Sequence, residues 1–358
     1  MTQSAASKNP IRRIQASGDP FSIGLALGQA AAEDIHDRVF TTEEFQSLSS
    51  HWRGSAYLQQ LEDAARSAYP RFIQEIEGIA AGAELDFETL FVWNCRGDLR
   101  LPDDVSPETL LAAASGCTTV MVPADNDTPA VIAHNEDGAP EFLGHCFWVS
   151  VIPDDGPAFD SFMYPGMLPG HTLGVNNAGL VQTINNVRVH DLKPGIPRHI
   201  ITRAVLGANS MDAALEILQR DDRASGFHHN LGQAGNQRIV SVEAPATGCQ
   251  VREITAQAAH ANHLIDEAFK NIPQSITGSS EDRQASADKM IAAGEGPETI
   301  LFDRETPVYR ANDAGDDYAQ TLSTGIFRLH RDRVEWAIHA TPDEPNALTG
   351  TMNMKSNP

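Results

Sequence analysis

The change of pattern at residue 117 constrains the fold of this chain more than any other feature of its sequence. Before that point apolar residues recur at helical spacing, and helices are predicted over residues 21–36, 56–83 and 87–96, with Pro70 starting a new helix inside the second range. After that point short segments rich in β-branched and aromatic residues are separated by turn residues, a pattern that predicts strands. The six strands predicted there, which imply a substantial antiparallel sheet, cover residues 118–123, 130–134, 147–152, 159–164, 172–176 and 180–185.

The remainder of the chain continues this separation of helices from strands. Helices are predicted over residues 197–206, 210–219 and 280–293, with Ser210 as an N-cap, and a terminal hairpin is predicted over residues 321–339. Helices segregated from two blocks of antiparallel strands favour an α+β fold with sheet packed on sheet, which we expect to form a single domain. The other strands are predicted over residues 11–15, 227–232, 238–243, 250–254 and 258–264.

Charge and hydropathy exclude some classes of partner. A net charge of −22 argues against nucleic-acid binding, because the chain would repel a phosphate backbone. No run of about 18 apolar residues occurs, which argues against a membrane span. The polar start of the chain forms no apolar signal region, so we expect a cytoplasmic protein. A homo-oligomer is compatible with this composition.

One cysteine stands apart from the others by its position. The chain has four cysteines: Cys95, Cys117, Cys146 and Cys249. They form no CxxC pair, so neither a zinc knuckle nor a disulfide framework is predicted. Cys117 follows Gly116 at the end of a turn-rich connector over residues 102–116 and opens the first strand beyond it. This position suits a reactive thiol, and it also suits a buried cysteine that begins a strand.

Histidines raise the question of a metal site. Three groupings could suggest one: His134 with Asp137, His228 with His229, and His260 with His263. None of them has HExxH spacing, and adjacent strand residues such as His228 and His229 point to opposite faces. The stretch from Gly174 to Gly179 lacks the GxGxxG pattern of nucleotide-binding loops. We therefore expect neither a metal nor another cofactor.

Several short motifs follow one another along the chain in a recognisable order. They are Gly18-Asp19-Pro20 with Gly24 and Gly28, Gly116-Cys117-Thr118-Thr119, His134-Asn135-Glu136-Asp137, Tyr164-Pro165-Gly166, Gly174 to Leu180, His260-Ala261-Asn262-His263-Leu264, and Ser279 to Arg283. In order and spacing they resemble the acyl-coenzyme A:6-aminopenicillanic acid acyltransferase family, also called the C45 peptidase family. The resemblance implies a four-layer αββα sandwich of the N-terminal nucleophile hydrolase type.

The resemblance also implies that the chain cuts itself between Gly116 and Cys117. The products would be an α chain of residues 1–116 and a β chain of residues 117–358, which stay together as partners. Cleavage frees the α-amine of Cys117, and such an amine has a pKa of about 7.7 to 8.0 against about 8.5 for a thiol. The amine can therefore accept the thiol proton, which the amide of an uncut chain cannot do.

Motif matching assigns roles to two further residues. Asn262 corresponds to the side-chain amide that stabilises the oxyanion, and Asp137 to the carboxylate that holds the α-amine or orients the cleavage junction. The alternatives are a strand-end asparagine that bonds its own backbone and an aspartate in a surface turn. Ala261 stands where the family usually has threonine, so substrate contacts could differ.

Four more residues are candidates for lining the substrate site: Thr119, His134, Tyr164 and Arg283. His134 stands where the family varies. For three of them a purely structural role is the alternative. Thr119 could serve only to pack against its neighbours, Tyr164 could lie in the core, and Arg283 could pair with a neighbouring acidic side chain. The expected reaction is hydrolysis of a linear amide of a small acylated amine or amino acid through a Cys117 acyl-enzyme. Transfer of the acyl group from an amide or acyl-coenzyme A to an amine is one alternative, and an unprocessed binding protein is another.

Overall fold

Two β-sheets with helices packed against them form the part of the chain that the computed structural model describes. The described residues are 11–102, 116–126, 128–235, 237–311, 319–342 and 347–354. The strands are β1 (Arg12–Gly18), β2 (Thr118–Val122), β3 (Ala130–Gly138), β4 (Phe147–Pro153), β5 (Phe159–Met163), β6 (Leu173–Asn176), β7 (Leu180–Asn186), β8 (Phe227–Gln233), β9 (Arg238–Ala244), β10 (Gln250–Glu253), β11 (Ala258–His260), β12 (Gln320–Leu329), β13 (Arg333–His339) and β14 (Leu348–Asn353).

The helices begin at residues whose side chains or rings suit a helix start. Asp19, Thr42, Ser55 and Ser210 each accept a hydrogen bond from a backbone N–H in the first turn of the helix that follows. The helices are α1 (Pro20–Asp34), α2 (Glu43–Trp52), α3 (Ala56–Ala68), α4 (Pro70–Gly82), α5 (Phe87–Asn94), α6 (Arg198–Leu206), α7 (Met211–Leu218), α8 (Gly278–Ala292) and α9 (Pro297–Phe302). No helix within the described ranges has both the length and the apolarity that a membrane crossing requires.

The strands divide into sheets of eight and six. The larger sheet has the order β1-β4-β5-β6-β7-β8-β9-β10, and the smaller has the order β11-β2-β3-β12-β13-β14. The six strands predicted after residue 117 therefore do not form one sheet, because β3 pairs along its second edge with β12 and not with β4. Nor is the larger sheet wholly antiparallel, since β1 pairs with β4 in parallel register.

The apolar cores explain how the sheets and helices are stacked. One cluster contains Trp148 and Phe162 of the larger sheet together with Phe327 and Trp336 of the smaller one, so the two sheets pack face to face. A second cluster joins the larger sheet to α1, α3, α4, α5, α6 and α7. A third joins the smaller sheet to α8 and α9. The fold is thus a mixed α/β arrangement of two sheets with helices, as the sequence predicts.

Helices α1 and α4 cross at backbone contact. A Cβ atom added to Gly24 would lie 2.0 Å from the carbonyl oxygen of Glu75, and one added to Gly28 would lie 2.2 Å from that of Ile79. Only glycine lets two helix backbones approach this closely. The four-residue spacing of Gly24 and Gly28 therefore places both glycines on the face of α1 that contacts α4.

Some element boundaries differ from the prediction. The strand predicted over residues 258–264 ends at His260, because the N–H groups of Ala261 and Asn262 donate to Gln284 and Ser280 of α8 and not to a neighbouring strand. Strand β3 continues to Gly138, beyond the predicted 130–134. Helices α2 and α9 and strand β14 were not predicted. Most of the predicted connector, residues 103–115, lies outside the described residues.

Candidate active site

Cys117 lies at the start of β2 and is buried, with 5% of its surface exposed. Its carbonyl oxygen accepts hydrogen bonds from Arg283 Nη1 at 2.6 Å and from Asn185 Nδ2 at 3.1 Å. Arg283 belongs to α8, which packs on the smaller sheet, and Asn185 belongs to β7 of the larger sheet. Both layers therefore fix the backbone of Cys117. The backbone of this cysteine is therefore held in place before any substrate arrives.

A carboxylate contacts the thiol directly. Cys117 Sγ lies 3.3 Å from Glu136 Oε2 and donates to it, and the Tyr164 hydroxyl donates to Glu136 Oε1 at 2.8 Å. His134 Nε2 lies 3.2 Å from Glu136 Oε2, and its Nδ1 lies 2.8 Å from Thr119 Oγ1. His134 and Glu136 are two residues apart on β3, so both project from the same face of the strand.

Asp137 follows on β3 and is also buried. Its Oδ1 accepts a hydrogen bond from Thr321 Oγ1 at 2.7 Å, while its Oδ2 has no hydrogen-bond partner among the described residues. Burial raises the pKa of Asp137 to about 6, although the positive charges of Arg310 and Arg283 oppose the rise. Asp137 is therefore not a surface-turn residue.

Asn262 packs against Gly116, the residue before Cys117. A Cβ atom added to Gly116 would lie 2.0 Å from Asn262 Oδ1, so only glycine fits beside this amide. Asn262 Oδ1 accepts a hydrogen bond from Arg283 Nη2 at 2.6 Å, and its Nδ2 donates to the carbonyl oxygen of Asn186 at 3.0 Å. Both side-chain hydrogen bonds of Asn262 are made to other residues, so Asn262 is not simply a strand-end asparagine that bonds to its own backbone.

The thiol is held in its neutral form. Burial raises the pKa of Cys117 well above its usual range, and the negative charges of Glu136 and Asp137 raise it further. A thiolate is the nucleophilic form of cysteine, so any reaction at this sulfur would require a base that removes the thiol proton.

A cavity of about 670 Å³ opens onto the thiol. Its wall includes four residues of the site: Cys117, Glu136, Asp137 and Tyr164. Of the four candidates for lining the substrate site, Tyr164 alone forms part of this wall. Thr119 and His134 are fully buried behind Glu136, and Arg283 lies behind Cys117 and Asn262. Their contacts position the residues that face the cavity.

The wall of the cavity carries charges of both signs. Four arginines contribute to its wall: Arg96, Arg100, Arg188 and Arg198. Burial lowers the pKa of Arg188 to about 9, and neighbouring arginines lower it further. The carboxylate of Glu44 lines the same cavity, and burial raises its pKa. A ligand with polar or charged groups suits these walls better than a purely apolar one.

Sequence reasoning misses two residues of this site. Glu136 belongs to one of the motifs recognised in the sequence. Its position two residues after His134 on the same strand is the signal that could have identified it as a site residue. Asn185 makes hydrogen bonds to the carbonyl oxygens of Cys117 and His260, and its Oδ1 accepts from Thr119. Asn185 belongs to the larger sheet, and nothing in its local sequence indicates that it contacts Cys117.

Of the potential metal ligands considered from the sequence, His134 is the one that joins such a group in the structure. Among the described residues, Cys117, His134 and Glu136 form the group of three whose ligand atoms all lie within 4.8 Å of one another. Thiolate, imidazole and carboxylate are ligands that zinc accepts. His228 instead stacks on His260 at 3.3 Å between ring centroids. The absence of a metal stays a prediction.

Comparison with known proteins adds an independent observation. The sequence profile of the acyl-coenzyme A:6-aminopenicillanic acid acyl-transferase family matches residues 123–343. The chain is 28% identical over 223 residues to the beta-alanyl-dopamine/carcinine hydrolase of Drosophila melanogaster, a segment that covers 56% of this chain and 55% of that protein. It is 24% identical over 257 residues to the acyl-coenzyme A:6-aminopenicillanic-acid-acyltransferase 40 kDa form of Emericella nidulans, covering 70% and 69% of the two chains. The match thus spans about half the length of the Drosophila protein.

Proposed function

This chain belongs to the acyl-coenzyme A:6-aminopenicillanic acid acyl-transferase family, and we propose that it is a self-processing cysteine amidohydrolase with Cys117 as its nucleophile. The observation that carries the proposal is the cavity with Cys117 and Asp137 in its wall, together with the packing of Asn262 on Gly116. The stacking of the two sheets between helical clusters supports the four-layer αββα arrangement of N-terminal nucleophile hydrolases.

Processing breaks the peptide bond between Gly116 and Cys117 and leaves residues 1–116 and 117–358 as two associated chains. The step turns the backbone nitrogen of Cys117 from an amide into an amine, and only the amine can act as a base. Asp137 Oδ2, buried and free of hydrogen-bond partners among the described residues, is an acceptor that the new α-ammonium can use.

The catalytic cycle follows from the same groups. The sulfur of Cys117 attacks the substrate carbonyl carbon while the α-amine takes the thiol proton, and the amine then returns it to the leaving nitrogen. Negative charge that develops on the carbonyl oxygen is stabilised by the side-chain amide of Asn262, a contribution of about 100- to 1000-fold in rate. Water then hydrolyses the thioester.

Acyl transfer to an amine is the second candidate, and the Emericella relative, an acyltransferase by name, favours it. Both reactions share the Cys117 acyl-enzyme and differ only in the acceptor. The Drosophila relative is named for beta-alanyl-dopamine and carcinine, so acylated amines of that kind are the first substrates to test. Product analysis with and without an added amine separates hydrolysis from transfer.

Intact mass spectrometry tests the proposal most directly. Wild-type protein should give two masses, for residues 1–116 and 117–358, and Cys117→Ala should give one. Cys249→Ala is the matched control, because this half-buried cysteine lies outside the site and its loss should leave processing unchanged. Catalytically active wild-type protein that consists of one unbroken chain would contradict the proposal and favour an unprocessed protein on the same fold.

A further inference from the structure

The precursor lacks the base that the processed enzyme uses. Before the bond ahead of Cys117 breaks, the nitrogen of this residue is an amide and cannot accept the thiol proton. The first reaction of the chain, its own cleavage, therefore needs a base that is already in place. The base has to contact the sulfur, because a thiol must give up its proton as it becomes the attacking nucleophile.

Glu136 meets that requirement in the geometry of the site. Its Oε2 lies 3.3 Å from Cys117 Sγ, and among the described residues it is the carboxylate in hydrogen-bond contact with the sulfur. Asp137, the other carboxylate nearby, makes its side-chain hydrogen bond to Thr321. Glu136 is also held firmly, with Tyr164 on Oε1 and His134 beside Oε2. A carboxylate fixed at both oxygens keeps its position as the proton moves.

We propose that Glu136 is the general base of self-cleavage and takes the Cys117 thiol proton as the sulfur attacks the carbonyl carbon of Gly116. The inference rests on the proposed function, since it concerns the same processing step. A bond forms between sulfur and carbon, the bond between carbon and nitrogen breaks, and Glu136 returns the proton to the departing nitrogen. Water then adds to the thioester, the bond between carbon and sulfur breaks, and the products are the Gly116 carboxylate, the thiol and the α-amine.

The backbone contacts of the nucleophile support this assignment. Arg283 and Asn185 both donate to the Cys117 carbonyl oxygen, which limits how far the residue can turn away from Glu136. The Asn262 amide packs on Gly116, on the other side of the bond to be broken. Sulfur, base and the flanking residue are thus positioned in the uncut chain.

The test measures cleavage of the full-length chain directly, without a substrate. Protein is made by cell-free synthesis with a pulse of radiolabelled methionine, and conversion of the precursor to two chains is followed on denaturing gels. Glu136→Gln should slow conversion by about 100- to 10,000-fold, the usual contribution of a general base. Tyr164→Phe removes one hydrogen bond to the carboxylate and keeps the base, so it should slow conversion by less than about tenfold.

Chemical rescue separates a base from a residue that merely supports the fold. Glu136→Ala leaves space at the wall of the cavity, and added formate should restore conversion at least about tenfold in this variant but not in Tyr164→Phe. Sodium chloride at equal ionic strength should have no effect. The inference is overturned if Glu136→Gln converts within threefold of wild type, or if formate fails to accelerate Glu136→Ala. A wild-type chain that never splits would refute the proposed function itself, so the two failures are distinguishable.

Discussion

Gly116→Ala tests whether Gly116, the residue before the proposed nucleophile Cys117, is fitted to Asn262. In the structure a Cβ atom at this position would lie 2.0 Å from Asn262 Oδ1 and 2.4 Å from its Cγ, whereas ordinary contacts begin at 3.4 Å. Relief of the overlap requires a shift of about 1.4 Å between the two groups. The amide is not free to move, because Arg283 and Asn186 hold its two ends. Most of the shift therefore falls on the bond to be cleaved.

A displacement of this size has a predictable effect on rate. Misplacement of a reacting group by about 1 Å costs about 100-fold, which corresponds to about 2.7 kcal/mol in the activation free energy. We therefore expect Gly116→Ala to slow self-cleavage by at least about 100-fold. The half-time of conversion to two chains, read on denaturing gels or by intact mass, gives this value directly.

A matched control separates the local effect from a general effect of alanine. Gly278 begins α8, and a Cβ atom there would meet nothing within 4 Å. Gly278→Ala should process at the wild-type rate. If Gly116→Ala also processes within threefold of wild type, the fit between Gly116 and Asn262 has no part in cleavage and the reasoning fails.

Three further perturbations address the oxyanion, the buried carboxylate and the helix crossing. Asn262→Ala should slow self-cleavage by about 100- to 1000-fold because the proposed oxyanion donor is lost, and an unchanged half-time would remove Asn262 from that role. Because the folded-state pKa of Asp137, about 6, lies above the ordinary 3.8, its contribution to stability is complete below pH 3.8 and disappears as the pH rises through 6. The total is about 3 kcal/mol, of which about half is lost between pH 5 and 7.5, and urea unfolding should show that this pH-dependent part is missing in Asp137→Asn. Gly24→Ala should lower the free energy of unfolding by about 1 to 3 kcal/mol despite its better helix propensity, because its Cβ overlaps the Glu75 carbonyl; equal urea midpoints for Gly24→Ala and Gly278→Ala would refute this.

Local sequence patterns predict most elements of this fold, since periodicity and capping are properties of neighbouring residues. Pro70 does begin α4, and Ser210 does cap α7. Two of the missed elements, α9 and β14, are stabilised by contacts with other parts of the chain. Helix α9 is short and is stabilised by its contacts with β2 and β3. Strand β14 is stabilised by pairing with β13 at the edge of the smaller sheet.

Pairing between distant strands limits prediction more severely. The strands after residue 117 read as one sheet, yet β3 takes β12 as its neighbour from almost two hundred residues away. The same limit applies to the site. Motifs bring Cys117, Asp137 and Asn262 to attention, but the contact of Asn185 with the Cys117 carbonyl exists only because the two sheets stack.

The parallel pairing of β1 with β4 has a consequence for the integrity of the protein. Seven residue pairs, from Arg12 with Phe147 to Gly18 with Pro153, join the segment before the proposed cut to the segment after it. Helix α1 then continues from β1 into the apolar cluster that it shares with the larger sheet. A nick ahead of Cys117 would consequently be invisible to size-exclusion chromatography, since the fragments could separate only if the sheet were torn apart.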